Sequence, residues 1–417
     1  MIRTDKLDEG LFRSEAENGV TVISELLPWV RSVAVGIWVA RASVHEPRLK
    51  MGVSHLLEHM VFKGTKRRSA RDIALELEVR GGSLDAYTSR DHTSFQARVL
   101  DDDLPRALDV LTDIVRNPLL RTDDLDRERM VVLEEISAVH DTPDDLVFEE
   151  HSQTMWPDHP YGYSVLGTRE TVSQLSVDDL RELHSTSYHP SHIVIAAAGN
   201  VDHELFLKLL AKCGWFTFAT GPEPQQIVTV PPAVRTERFI YREGAQSHLV
   251  IGTDTFPFTD ERRHPLVLLN SVLGSGMSST LFQKIREELG LAYTVYSYQS
   301  FYRETGVVGV YVGTHPSNVA RALDVIREQL AEFAANGLTP ERLAEAKRQL
   351  KGQVTLSLES PSARMYRLAT IALFGEPYRT IDDLLSQIDS IEPGDVAGVG
   401  EEFLDPGRQT IVALGPN

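Results

Sequence analysis

The stretch LRTDDLDRERMVVLEEI, Leu120–Ile136, has an echo in LTPERLAEAKRQLKGQV, Leu338–Val354. A second echo precedes it in each half: ALDVLTDIV (Ala107–Val115) resembles ALDVIREQL (Ala322–Leu330). Both pairs follow strand-like segments, TSFQARVL in the first half and GVVGVYVG in the second. Repetition at this length means one supersecondary plan used twice. The chain therefore reads as α+β, with two homologous domains, each a mostly antiparallel sheet packed with long helices. Alternation in TSFQARVL has period two, as in a sheet with one face covered. Between the halves, ATGPEPQQIVTVPPAV is proline-rich and lacks Lys and Arg, which marks an extended linker. The expected division is a first domain over 1–218, a linker over 219–234 and a second domain over 235–417.

Gross composition agrees with two cores. A chain of 417 residues is too long for one, and 42% hydrophobic with 24% charged residues is ordinary for a globular protein. The net charge of −18 argues against nucleic acid as a partner. It serves solubility, and in a sharper reading it makes an acidic interior that attracts basic peptides. Cys213 is the only cysteine, so no intrachain disulfide can form. That suits a reducing compartment. No apolar run approaches the roughly 20 residues a membrane span needs, so no membrane partner is expected. The N-terminal MIRTDKLDEG has neither a signal peptide's apolar core nor a transit peptide's composition. A bacterial cytoplasm is the expected setting, with a mature mitochondrial matrix protein as the alternative.

The stretch SHLLEHMVFKGT, Ser54–Thr65, carries the chemistry. On a helical wheel with His55 at zero, His59 falls at about 40° and Glu58 at about 300°. Val53, Leu56, Leu57 and Met60 occupy the opposite side, between about 100° and 200°. Residues four apart on a helix are neighbours, the separation at which two imidazoles share one metal ion. Glu58 lies beside them, where a carboxylate can take a proton from water. The spacing is HExxH reversed. Two ordinary surface histidines are the bland alternative.

A catalytic zinc takes three protein ligands. In the helix expected after Thr122, Leu125, Val132, Ile136 and Val139 form an apolar stripe. Glu128 and Glu135 fall inside it, while Glu134 points to solvent. Carboxylates in an apolar stripe need a cation to meet them. Glu135 is therefore the expected third ligand, and Glu128, one heptad earlier, the residue that orients a ligand. The competing arrangement pairs both with Arg127 or Arg129. In the second half Ala346 stands where Glu128 does and Gln353 where Glu135 does, and no HxxEH occurs there. The chemistry belongs to the first half.

HxxEH followed by a distant glutamate within ERxxxLEEI resembles the pitrilysin/insulinase family of zinc peptidases. FKGT, GGSLDAYTSRDHT and REELGLAYTVYSY look like further family signatures, and the likeness covers nearly the whole chain. The length is similar to the half-size members, such as the mitochondrial processing peptidase β subunit and bacterial relatives. The resemblance implies one zinc per chain on His55, His59 and Glu135, with Glu58 as general base and Glu128 in support. It also implies that Arg286 and Tyr293 bind substrate near the scissile bond. Ser83, Leu84, Asp85, Ala86 and Tyr87 then pair with a peptide substrate as an added strand, although Asp85 replaces the more usual Asn. LGSGMSST is much shorter than the glycine-rich loop of the processing peptidase's α subunit, so the chain looks like the catalytic type. The implied function is a zinc endopeptidase acting on short or unfolded peptides in a chamber closed by dimerisation. The partner is a second copy, or an inactive homologue in a heterodimer. A non-catalytic structural subunit is the alternative.

Overall fold

The computed structural model describes residues 2–217 and 229–416, so positions 219–228 of the expected linker lie outside the described residues. The first sheet contains β1 (Ile2–Asp8), β2 (Leu11–Ala16), β3 (Thr21–Leu26), β4 (Ser32–Val39), β5 (Ser83–Thr88), β6 (Thr93–Leu100) and β7 (Ile193–Gly199). Their order is β1-β2-β3-β7-β4-β6-β5. The second sheet contains β8 (Glu237–Tyr241), β9 (Ser247–Thr255), β10 (Ala292–Phe301), β11 (Gly306–Thr314) and β12 (Thr410–Gly415), in the order β10-β11-β9-β12-β8.

Read from its other edge, the second sheet repeats the strand plan of β3 to β7. In both, the first strand pairs in parallel with the last, β3 with β7 and β8 with β12. The remaining pairings are antiparallel. The β1–β2 hairpin is the first sheet's addition. Both echoes fall on matching helices. Leu104–Arg116 and Thr122–Asp141 follow β6, while Val319–Asn336 and Pro340–Ser357 follow β11. The α+β duplication is thus the observed fold.

The division differs from a single cut at the linker. One compact unit comprises Met1–Ile136, Ser164–Ile227 and Ser357–Tyr378; the other comprises Ser137–Tyr163, Val228–Leu356 and Arg379–Asn417. The chain therefore exchanges one helix in each direction. Helix Pro361–Phe374 comes from the second half but belongs to the first unit, and Pro143–Met155 does the reverse.

The reason is that each sheet is apolar on both faces. Val33, Val35, Ile37 and Val39 of β4 enter the core beneath Leu104–Arg116. The alternate residues Ala34 and Trp38 meet Met365, Leu368, Ala369 and Leu373 of the exchanged helix. In the second unit Val250, Tyr311, Val412 and Leu414 are covered by Leu146 and Val147 of the other exchanged helix. TSFQARVL shows the same correction. Thr93 through Ala97 are buried without alternation, and the period-two pattern survives only from Arg98 to Leu100. Tyr366 of the exchanged helix donates its hydroxyl hydrogen to Gln96, which covers that second face. Among the described residues, no helix is long and apolar enough to cross a membrane.

Candidate metal centre

The motif helix runs Val53–Val61. Leu56, Leu57 and Met60 are buried within the first unit's core, as their side of the wheel requires. Each contributes about 1.5–3 kcal/mol by leaving water. That burial fixes the rotation of the helix and turns His55 and His59 together to the opposite side. Their ring centroids are 4.7 Å apart, at an interplanar angle of 61°.

Helix Thr122–Asp141 buries Asp124, Leu125, Glu128, Val132 and Ile136, and leaves Glu134 exposed. Packing that face inward carries Glu135 to the imidazoles. Its Oε1 lies 3.6 Å from His59 Nε2 and its Oε2 lies 3.7 Å from His55 Nε2. Donor atoms of His55, His59 and Glu135 all lie within 4.8 Å of one another. The competing arrangement does not form. Arg127 pairs with Asp124, and Arg129 pairs with Asp126 and donates to the carbonyls of Val172 and Leu175.

These residues fit a zinc ion. Glu135 Oε2 is buried with no hydrogen-bond partner among the described residues, an expensive state for a carboxylate oxygen unless a cation meets it. Burial, with His59 nearby, lowers the His55 pKa to about 4. The ring is therefore neutral at pH 7, the form that ligates. Glu128 Oε2 accepts a hydrogen bond from His59 Nδ1 at 3.2 Å. Because a carboxylate oxygen accepts, Nδ1 carries the donated proton, and Nε2 is the ring nitrogen that faces Glu135.

Glu58 is buried beside the rings. Burial raises its pKa, opposed first by a hydrogen bond from Thr88, whose Oγ1 donates to Oε2 at 2.5 Å. Two residues beyond the sequence reading thus join the site. Thr88 falls on the inner face of β5 with Leu84 and Ala86, so strand alternation could have found it. Lys63 Nζ lies 2.8 Å from Glu128 Oε1. It sits four residues after His59, and helix spacing could have flagged it.

Ser83, Leu84, Asp85, Ala86 and Tyr87 lie on β5, the edge strand of the first sheet, paired on one side only with β6. Arg286 and Tyr293 belong to the second unit. Arg286 sits in a π-helical turn, Phe282–Glu288, with its guanidinium carbon 4.7 Å from the Phe282 ring centroid and 4.6 Å from that of Tyr293. Tyr293 is 75% exposed. The structure brings this pair together within its own unit, as it brings together His55, Glu58, His59, Glu128 and Glu135 in theirs.

Comparison with known proteins gives the family. A family model described as Insulinase (Peptidase family M16) matches residues 21–169, and one described as Peptidase M16 inactive domain matches residues 174–350. An uncharacterized zinc protease of Streptomyces coelicolor is 39% identical over 97% of this chain and 89% of its own length. The chain belongs to the insulinase family of peptidases. The uncharacterized zinc protease YmxG of Bacillus subtilis is 38% identical over 94% of this insulinase-family chain and 95% of its own length. Two solved structures share the fold. One, titled a peptidase M16 inactive domain from Pseudomonas fluorescens, has a TM-score of 0.91 and 21% identity, covering 98% of both chains. The other, a protease from Helicobacter pylori, has a TM-score of 0.88 and 22% identity, covering 97% of this chain and 99% of that one.

Proposed function

We propose that this insulinase-family chain is a zinc-dependent endopeptidase that cuts short or unfolded peptides as a homodimer. The observation that carries the reading is the convergence of His55, His59 and Glu135 beside a buried Glu58. His55, His59 and Glu135 hold one zinc per chain, and Glu128, backed by Lys63, fixes the ring of His59. Bound there, zinc supplies a Lewis acid that makes water more acidic and polarises the scissile carbonyl.

Glu58 is the general base: it takes a proton from the attacking water and later delivers it to the leaving amine. Its raised pKa brings it closer to the working range of a group that must do both. The free edge of β5 receives an extended peptide as an added strand, with Ser83 to Tyr87 in contact. Arg286 and Tyr293 present a cation and a phenol that hold the peptide carbonyl and stabilise negative charge developing there. Placed in the second unit, they act across the dimer on the other copy's zinc site. The chamber so closed excludes folded proteins, and the net charge of −18 favours basic peptides. A reducing cytoplasm is the proposed setting, which suits the single cysteine; cell fractionation tests it.

A quenched-peptide assay with and without chelator, on protein of known zinc content, tests the reaction. Glu58→Gln is expected to lower kcat about 10²–10⁴-fold while zinc content holds. Turnover unchanged by this substitution would refute the base assignment. Mixing Glu58→Gln chains with Tyr293→Phe chains should restore part of the activity if the pair acts in trans. Size-exclusion chromatography of the chain alone separates a homodimer from a subunit awaiting a different partner.

A further inference from the structure

We infer that Glu46 is a positioning residue of this site, acting through the first turn of the motif helix. The inference rests on the zinc reading above.

The first turn of a helix leaves backbone N–H groups without partners inside the helix. The N-cap side chain normally meets one of them, which is why Ser, Thr, Asp and Asn are preferred there. This helix cannot use that device. Its N-cap is Gly52, with φ at 87°. A Cβ at that position would lie 2.4 Å from the carbonyl oxygen of Leu166, and one at Gly167 would lie 2.4 Å from that of Met51. Two backbones cross too closely for any side chain, so the cap must come from elsewhere.

Glu46 supplies it. Its Oε2 accepts a hydrogen bond from the Gly52 N–H at 2.8 Å, and its Oε1 accepts one from the Ser54 N–H at 2.7 Å. One carboxylate spans the N-cap and the second helical residue, and the latter directly precedes the metal-facing His55. A negative group at this end also complements the helix dipole. The side chain is anchored in turn, because Glu46 closes the short 3₁₀ segment Ser43–His45, whose Val44 N–H donates to the Arg90 carbonyl at 2.9 Å.

The arrangement is costly by itself. Glu46 is 5% exposed and makes no ion pair among the described residues. Burial pushes its carboxyl up to about 7, with the hydrogen bonds from Ser54 and Gly52 acting the other way. A neutral side chain would cap a helix without that burden. What the carboxylate adds is two acceptor oxygens at fixed separation, which set both the tilt and the rotation of the first turn. His55 Nε2 points toward Glu135 only while that turn holds.

The test uses the full chain and reads zinc affinity by competition with a chelator, alongside melting temperature and turnover. Glu46→Gln keeps the volume and one acceptor but sets an amide NH₂ against the second backbone N–H. It is expected to bind zinc about tenfold more weakly than wild type, and Glu46→Ala about 100-fold more weakly. Ile195→Val, a fully buried change in β7, serves as the stability control and is expected to leave zinc affinity unchanged. Glu46→Gln that folds and keeps wild-type affinity overturns the inference, as does a control that weakens zinc equally. If neither Glu46 variant folds, hydrogen exchange on the wild type decides. Gly52 and Ser54 amides should be as protected as the rest of the motif helix, and exchange at loop rates overturns the inference. Wild type that binds no zinc overturns the site reading and this inference together, whereas tight binding by both wild type and Glu46→Gln removes the inference alone.

Discussion

The two units build the same five strands and the same pair of long helices, yet only one gathers a metal-binding set among the described residues. The difference lies on two helices: the second half has no HxxEH, and its long helix lacks both glutamates. Glu128 and Glu135 on Thr122–Asp141 correspond to a buried Ala346 and an exposed Gln353 on Pro340–Ser357. The helices that follow the second strand of each plan differ at their starts. The start of Arg263–Gly274 also meets a carboxylate, since Asp260 Oδ1 accepts from the Arg262 N–H at 2.9 Å. There the Arg262 guanidinium also pairs with Asp260, at 2.8 Å and partly in solvent, whereas Glu46 is buried and makes no ion pair among the described residues. A duplicated scaffold thus keeps its packing while its chemistry is lost or never acquired, because the core is set by apolar volume and the site by a few polar side chains.

Copying the second half into the first should break this contrast. Glu135→Gln, which installs the Gln353 side chain, is expected to weaken zinc binding more than about 100-fold, beyond the loss typical of outer-shell residues. Zinc content after dialysis measures it, and near-stoichiometric zinc in the variant would remove Glu135 from the ligand set. Glu128→Ala, the Ala346 equivalent, should weaken zinc about 10–100-fold by freeing the His59 ring. Retained affinity would show that Glu128 serves its ion pair with Lys63 and not the His59 ring.

Acid stability sharpens the comparison from the other side. In the second unit His151 is buried, with Nε2 3.2 Å from the Thr410 carbonyl oxygen, and burial lowers its pKa to about 4. The unfolded value is about 6.5. Between these values the unfolded chain binds the extra proton, so stability falls as pH drops through that window. From pH 7 to pH 5 the loss from this group is about 2 kcal/mol. His151→Gln should remove that share of the slope in urea denaturation at the two pH values, and an unchanged slope would show that His151 is not the titrating group. The smallest effect is expected from Gln353→Glu. A lone carboxylate returned to the second unit, with no imidazole pair, should leave zinc stoichiometry unchanged; a second bound equivalent would mean that the helix alone makes the site.

Several features were legible in the sequence because they depend on backbone period alone. Helical geometry puts His55, Glu58 and His59 on one side and Leu56, Leu57 and Met60 on the other. The same period put Glu128 in the buried stripe and Glu135, half-buried, at its edge. The echoes gave the duplication, since identical local patterns build identical elements. Strand alternation, by contrast, predicted one covered face where the first sheet has two. The helix covering the second face comes from residues 361–374, far along the chain, and no local pattern in β6 encodes it.

The sequence by itself determined which side chains share a helix face, that the architecture is used twice, and that only the first copy carries the imidazoles. Tertiary structure decided which carboxylate meets those imidazoles, which helices cross between units, and that Thr88, Lys63 and Glu46 belong to the story. Periodicity is a property of neighbouring residues and survives in any fragment. Contacts such as Glu46 with the start of the motif helix, or Thr88 with Glu58, exist only once whole elements pack. Packing responds to the volume and polarity of every surface involved, which no short stretch of chain contains.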